Sequence, residues 1–254
     1  MSVGLPQLLL FGEGPSDLMN EAEDGGLKGC LFSVILSEAK TTHPNRAIRT
    51  YIEEAWSRTT LNEASSLIQR NELNRQHLPA KFRPDGEEPD RQYVHFSNYA
   101  YFLGCQAKIK KADFCVFFHD CDDLSLERLI RAIRRGFAVS RFDGAVWMTP
   151  SPTSEAWILA TVKAADGRPF PDDTAGRQFE VDLKPNDKNP HCAKATLARY
   201  VTGNSKLMQL ARVDYDACLA RINTIPDGWS EIRRLPSGRR FVESVRAAVQ
   251  HLRW

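Results

Sequence analysis

The chain has 254 residues, of which 42% are hydrophobic and 26% charged, and its formal net charge is +2. These values are ordinary for a soluble globular protein of one large domain, or of one domain with an appendage. The near-neutral balance favours no class of charged partner by itself, and no apolar run approaches the length of a bilayer span, so no membrane partner is expected.

Taken in order, Leu8-Leu9-Leu10-Phe11 reads as a buried strand that breaks at Gly12-Glu13-Gly14-Pro15-Ser16-Asp17, where glycine and proline demand a tight turn. The start of the chain has no cationic leader, long apolar stretch or small-residue cleavage site, so no signal peptide is expected. Leu27 to Ala39 follows with helical spacing of Leu27, Cys30, Leu31, Val34, Ile35 and Ala39. Residues 41–91 read as an insertion, with a loop at Thr42–Arg46, a polar helix over Leu61–Arg75 and a Pro/Gly-rich, charged loop over Leu78–Arg91. Tyr93-Val94-His95-Phe96 suggests a short strand, and Asn98 to Lys111 a helix ending in Lys108, Lys110 and Lys111, as the helix dipole favours.

Phe114 to Phe118 is apolar at every position, as in a parallel sheet covered on both faces. It stops at His119-Asp120-Cys121-Asp122-Asp123. Leu124 to Val139 reads as a helix with Leu126, Leu129, Ile130 and Ile133 inward and Arg128, Arg131, Arg134 and Arg135 outward. Gly144 to Met148 is a further strand, and Thr153 to Ala164 a helix capped by Thr153 or Ser154. Asp166 to Asn189 reads as a loop, followed by helices over Ala193–Tyr200, Lys206–Ala211, Tyr215–Arg221 and Arg240–Leu252. The six cysteines, Cys30, Cys105, Cys115, Cys121, Cys192 and Cys218, form no CxxC pair, which favours free thiols in a reducing, cytoplasmic compartment.

Alternating strands and helices predict an α/β fold with a parallel sheet flanked by helices. The core is expected over 1–165, and a mostly helical part over 166–254 packs on it. In such sheets ligands bind beyond the carboxyl ends of the strands. Glu13, Asp120 and Asp122 all fall at such ends. Asp120 and Asp122, two apart where a strand breaks, can turn toward one hard cation, Mg2+ or Mn2+, and leave room for phosphate oxygens. Glu13 can serve as a further ligand or a general acid/base. Glu155, in the first turn of a helix after the last strand, is a further candidate ligand, or an acid placed there by the helix dipole.

The strand ending Gly12-Glu13-Gly14, with Ser16-Asp17 after it, and the later Asp120-Cys121-Asp122 together resemble the Toprim domain of topoisomerases, primases and OLD-type nucleases. With Pro150-Ser151-Pro152-Thr153-Ser154-Glu155-Ala156-Trp157 added, the pattern is similar to stand-alone Toprim-like proteins of bacterial mobile and defence loci. The resemblance covers roughly the first 150 residues with the insertion set aside. It implies a Toprim/Rossmann-like sheet and a Mg2+-dependent nuclease acting on DNA or RNA in anti-phage defence, often beside an ATPase partner. Glu13, Asp120 and Asp122 would carry the site. The stretch 41–91 departs from the common pattern and leaves substrate and partner open, as it does a homo-oligomer.

Ser16, Asp17, Arg46, Lys108, Lys111, His191 and Lys194 are further candidates for contacting phosphate. The four-arginine stripe is either a solvated helix face or a phosphate-binding one. His119 is expected on the face opposite Asp120, as a structural histidine. Two other readings stand beside the nuclease. One is a metal-dependent glycosyl or nucleotidyl transferase using Asp120-x-Asp122, which leaves Glu13 without a role. The other is an inactive scaffold or sensor that keeps the fold. A Ser154 triad, a dinucleotide fingerprint and a Walker loop are each excluded by missing partners.

Overall fold

The computed structural model describes residues 7–12, 20–21, 27–28, 34–35, 56–69, 91–185, 189–204 and 213–250. The expectations for Glu13, Ser16, Asp17, Arg46 and the helix at Lys206–Ala211 lie outside the described residues.

Four parallel strands form the main sheet: β1 (Gln7–Gly12), β4 (Trp56–Thr60), β5 (Ala112–Phe118) and β6 (Ala145–Met148), in the spatial order β4-β1-β5-β6. A separate antiparallel pair joins β2 (Asn20–Glu21) to β3 (Leu27–Lys28). The helices are α1 (Leu61–Gln69), α2 (Arg91–Ile109), α3 (Leu126–Ser140), α4 (Ser154–Ala165), α5 (Asp173–Asp182), α6 (Ala193–Thr202), α7 (Tyr215–Ile222) and α8 (Pro236–Gln250), with a 3-10 turn at Ser230–Arg234. The fold is therefore α/β, with a parallel sheet flanked by helices.

Strand periodicity divides the core in two. Leu8, Leu10, Phe114, Val116, Phe118, Val146 and Met148 face one side, where α4, α6, α7, the 3-10 turn and α8 cover them. Leu9, Phe11, Cys115, Phe117 and Ala145 face the other, against α2, α3 and Ala64 of α1. Burial on both faces is why these strands are apolar at every position. Each fully buried Leu or Phe contributes about 1.5–3 kcal/mol. The C-terminal helices supply much of the first cluster, so they close one face of the sheet.

Helices α2 and α3 pack closely. A Cβ at Gly136 would lie 2.2 Å from the Ser97 carbonyl oxygen, and the Ser97 hydroxyl donates to the Ala132 carbonyl at 3.0 Å. Gly136→Ala is expected to force the helices apart and cost about 1–3 kcal/mol in urea denaturation.

Several sequence expectations are corrected. Tyr93–Phe96 is the first part of α2, not a strand. Tyr93, Phe96, Ala100, Leu103 and Ala107 are buried at helical spacing, which the shorter apolar alternation had concealed. Leu27 pairs with Glu21 in β3 instead of opening a helix, although Val34 and Ile35 are helical and buried. The stretch 41–91 contributes β4, the outer neighbour of β1, from the polar sequence Trp-Ser-Arg-Thr-Thr. Residues 166–189 contain α5, started by the Asp172 carboxylate accepting from the Ala175 amide at 2.9 Å. Helix α8 begins at Pro236, four residues before the expected start, since proline suits the first helical position.

The edge strand β6 carries a side-chain bond on its outer side. Its residues 144, 146 and 148 face β5, and Trp147 faces outward along the ladder. The Trp147 amide donates to the Ser244 hydroxyl of α8 at 3.3 Å, and that hydroxyl donates to Phe241 O at 2.7 Å. Among the described residues no helix is long and apolar enough to cross a membrane.

Candidate functional site

The chain visits the strands in the order β1, β4, β5, β6, so it leaves β1 toward one edge and returns to build toward the other. Strand order thus reverses at the β1–β5 pair, where open α/β sheets leave a crevice beyond the carboxyl ends. Phe11 is level with Phe117 in that pair. Gly12 ends β1, and His119-Asp120-Cys121-Asp122 leads away from β5.

This acidic loop is stitched to the loop after β6. His119 N donates to Met148 O at 3.1 Å, Cys121 N to Pro150 O at 2.9 Å and Asp122 N to Pro152 O at 2.8 Å. The β5–β6 ladder thereby continues past the sheet as two paired loops. Asp120 Oδ1 accepts from the Ser154 amide at 2.8 Å. Ser154 is the first residue of α4, whose leading N–H groups have no partner within the helix. The expected cap by Thr153 or Ser154 is thus replaced: Thr153 makes no side-chain cap bond, and a carboxylate from another strand takes that amide. The positive end of the α4 dipole holds Asp120 in place.

Asp122 is exposed and has a φ of 49°, a left-handed conformation that aspartate tolerates better than most residues. Between the two acids, Cys121 is fully buried, with its thiol 3.6 Å from Thr149 O. Burial, then the charges of Asp120, Glu180 and Asp122, push that thiol up. Such burial is that of an inert structural cysteine. The loop therefore offers carboxylate oxygen and no soft donor, which fits Mg2+ or Mn2+.

His119 is buried, as a structural histidine should be. Its Nδ1–H donates to Asp120 O at 2.5 Å, and its ring meets Phe96 edge-on at 4.6 Å. His95 of α2 stands nearby, its ring 4.5 Å from that of Tyr99. Burial, then His119, then Arg91, hold His95 below its ordinary value, so it is neutral at pH 7. Sequence reading missed His95, because the strand assignment to residues 93–96 hid the helical turn that aims it toward this edge.

Glu155 sits in the first turn of α4 and is buried. Thr153 Oγ1 donates to its Oε2 at 2.8 Å and the Tyr215 hydroxyl to its Oε1 at 2.7 Å. One oxygen ties α7 to the start of α4, and the other is held by Thr153 at that start. Among the described residues no three His, Cys, Asp or Glu side chains gather into a metal-binding group. Glu155 is thus not drawn to Asp120 and Asp122 as a third ligand. Lys108 and Lys111 lie before β5, at the end opposite Asp120, and Lys108 Nζ donates to Ser140 O at 3.2 Å. His191 and Lys194 flank the start of α6, His191 exposed and Lys194 half-buried.

A second acid lies beneath the site. Glu180 of α5 is buried, accepts from Ser237 N at 3.3 Å and accepts a bond from the Ser237 hydroxyl. That hydroxyl accepts from the Trp157 indole at 2.7 Å. Burial raises Glu180 to about 7, against the opposing pull of Ser237 and Arg239. Between the ordinary value of 4.5 and about 7 the folded protein binds more protons here than the unfolded chain. Stability from this group is therefore complete below the ordinary value and falls as pH rises through that window, by on the order of 3 kcal/mol at most. Urea denaturation at about pH 5 and about pH 8 should show this loss, and Glu180→Gln should remove most of the difference.

No protein-family model matches the chain, and no curated protein or solved structure is similar enough to it to assign a family.

Proposed function

We propose that the protein is a Toprim-like nuclease that hydrolyses phosphodiester bonds of DNA or RNA with Mg2+ or Mn2+. The observation that carries this reading is the place of Asp120 and Asp122. They stand beyond the end of β5, at the pair of strands where the sheet order reverses, as two carboxylates two residues apart on one loop. Glu13 follows Gly12 in sequence at the end of the neighbouring strand and completes the acidic set in this proposal. Asp120 and Asp122, with Glu13, would hold the cation. When bound, it would neutralise phosphate charge and lower the pKa of an attacking water. The chain's own contribution is rigidity: the Ser154 amide fixes Asp120, and the paired loops fix the spacing of 120 and 122. His95, at the same edge and held below its ordinary value, can serve as a proton acceptor. A role in bacterial anti-phage defence, an ATPase partner and a cytoplasmic location belong to the same proposal and rest on the sequence resemblance.

The test is cleavage of a panel of DNA and RNA by purified protein, with Mg2+, with Mn2+ and with chelator. Metal-dependent cleavage that disappears in both Glu13→Ala and Asp120→Ala supports the reading. Cleavage that survives in both variants, or that ignores the chelator, overturns it.

A further inference from the structure

Helix α3 begins just after the acidic loop and carries the chain back to the start of β6, so its axis runs from the candidate site to the opposite edge of the sheet. Its exposed side is basic. Arg128, Arg131, Arg134 and Arg135 are all exposed, and its one acid, Glu127, is bound by Arg240 at 2.8 Å. Arg134 is held over the half-buried Trp147 ring, 5.7 Å from its centroid, which limits the rotamer freedom lost on binding. At the far end Lys108 donates to Ser140 O, and exposed Arg141 caps the helix in the left-handed conformation. Exposed Lys111 lies in the adjoining turn before β5. The lysines that cannot reach the acids therefore stand at the end of α3 away from them.

We propose that this row is a phosphate-binding track that seats the backbone of a nucleic-acid duplex and leads it into the acidic loop. The proposal rests on the nuclease reading and names how its substrate is held. A net charge of only +2 makes the local excess along α3 a property of this face and not of the whole molecule. Fifteen residues of helix span about 22 Å, or roughly six base-pair steps along one duplex strand. The spacing of the arginines along a straight rod suits a regular backbone. Guanidinium groups pair with phosphate in a bidentate fork, and contact of this kind is indifferent to base sequence.

The test is fluorescence anisotropy of a labelled DNA duplex and of its labelled single strand, with full-length protein, without divalent metal, across a salt series. One variant carries Arg131→Gln, Arg134→Gln and Arg135→Gln. A second carries Arg128→Gln and Lys111→Gln, at the two ends of the track. A control carries Arg168→Gln and Arg177→Gln, exposed residues on and beside the helices of the other sheet face. The triple variant should bind duplex at least about tenfold more weakly and lower the log–log salt slope by about 2 to 3, close to 0.9 for each lost phosphate contact. The second variant should lower the slope by about 2, and the control should match wild type. Wild-type affinity in both track variants, an equal loss in the control, or equal binding of the single strand overturns the proposal. So does wild-type protein that binds neither probe. Track-dependent binding with no cleavage sinks the nuclease reading alone, and cleavage of long duplex that the track variants perform at full rate sinks the track alone.

Discussion

Asp120→Asn protein is expected to lose at least about a hundredfold of its metal-dependent cleavage rate while melting within a few degrees of wild type. The substitution is informative because Asp120 has two separable duties. Its Oδ1 accepts from the Ser154 amide at the start of α4, and an asparagine carbonyl accepts the same bond. Asparagine and aspartate rank together as partners for helix N-termini. What asparagine cannot supply is negative charge, which is what a divalent cation draws on. Asp120→Ala removes both and should cost about a further 1 kcal/mol of stability. Asp122→Asn is the matched case, because asparagine also tolerates the left-handed backbone at that position. Steady-state cleavage beside a thermal melt reads the two duties separately. Full activity in Asp120→Asn would reduce this residue to a helix cap.

Trp157→Ala should destabilise the fold by about 3–5 kcal/mol, the range for emptying a large aromatic from a packed core. Trp157 is fully buried, packs at 5.5 Å against the Phe241 ring of α8, and donates its indole N–H to Ser237. Trp157→Phe keeps most of the volume and loses the hydrogen bond, so about 1–3 kcal/mol is expected from it. Because Ser237 is also the partner of Glu180, Trp157→Phe and Glu180→Gln should not add. A coupling of about 0.5–3 kcal/mol is expected in a double-mutant cycle by urea denaturation. Loss of under about 1 kcal/mol in Trp157→Ala would show that α8 is not fastened to the sheet through this residue.

The parts of the fold readable in the sequence are those in which one segment declares itself. Leu8–Phe11 and Phe114–Phe118 are apolar throughout because helices cover both sides of a parallel sheet. The arginine spacing of α3 marks an outward face at once. Strand β4 was not readable, because Trp-Ser-Arg-Thr-Thr carries neither an apolar run nor clean alternation, and its place comes from pairing with β1. Helix α5 is short and lies among glycine, proline and aspartate, and it is secured from outside by Ser237. At the site, the acids were visible as residue types after a strand. The bond that orients Asp120 joins positions 34 apart in the chain, and no local pattern encodes it. Glu155 read as a further candidate ligand or a first-turn acid, and its surroundings show that Thr153 and Tyr215 take its oxygens.

The hydroxyl of Ser244 has a consequence for self-association. An open outer strand with unpaired amides is a template for a strand from another molecule, and sheets grow or aggregate through such edges. Along β6 the outward amide of Trp147 is already given to a helix side chain, and α8 lies alongside the strand. A second copy pairing along β6 would have to displace that bond and α8, which favours assembly on this side through helix faces.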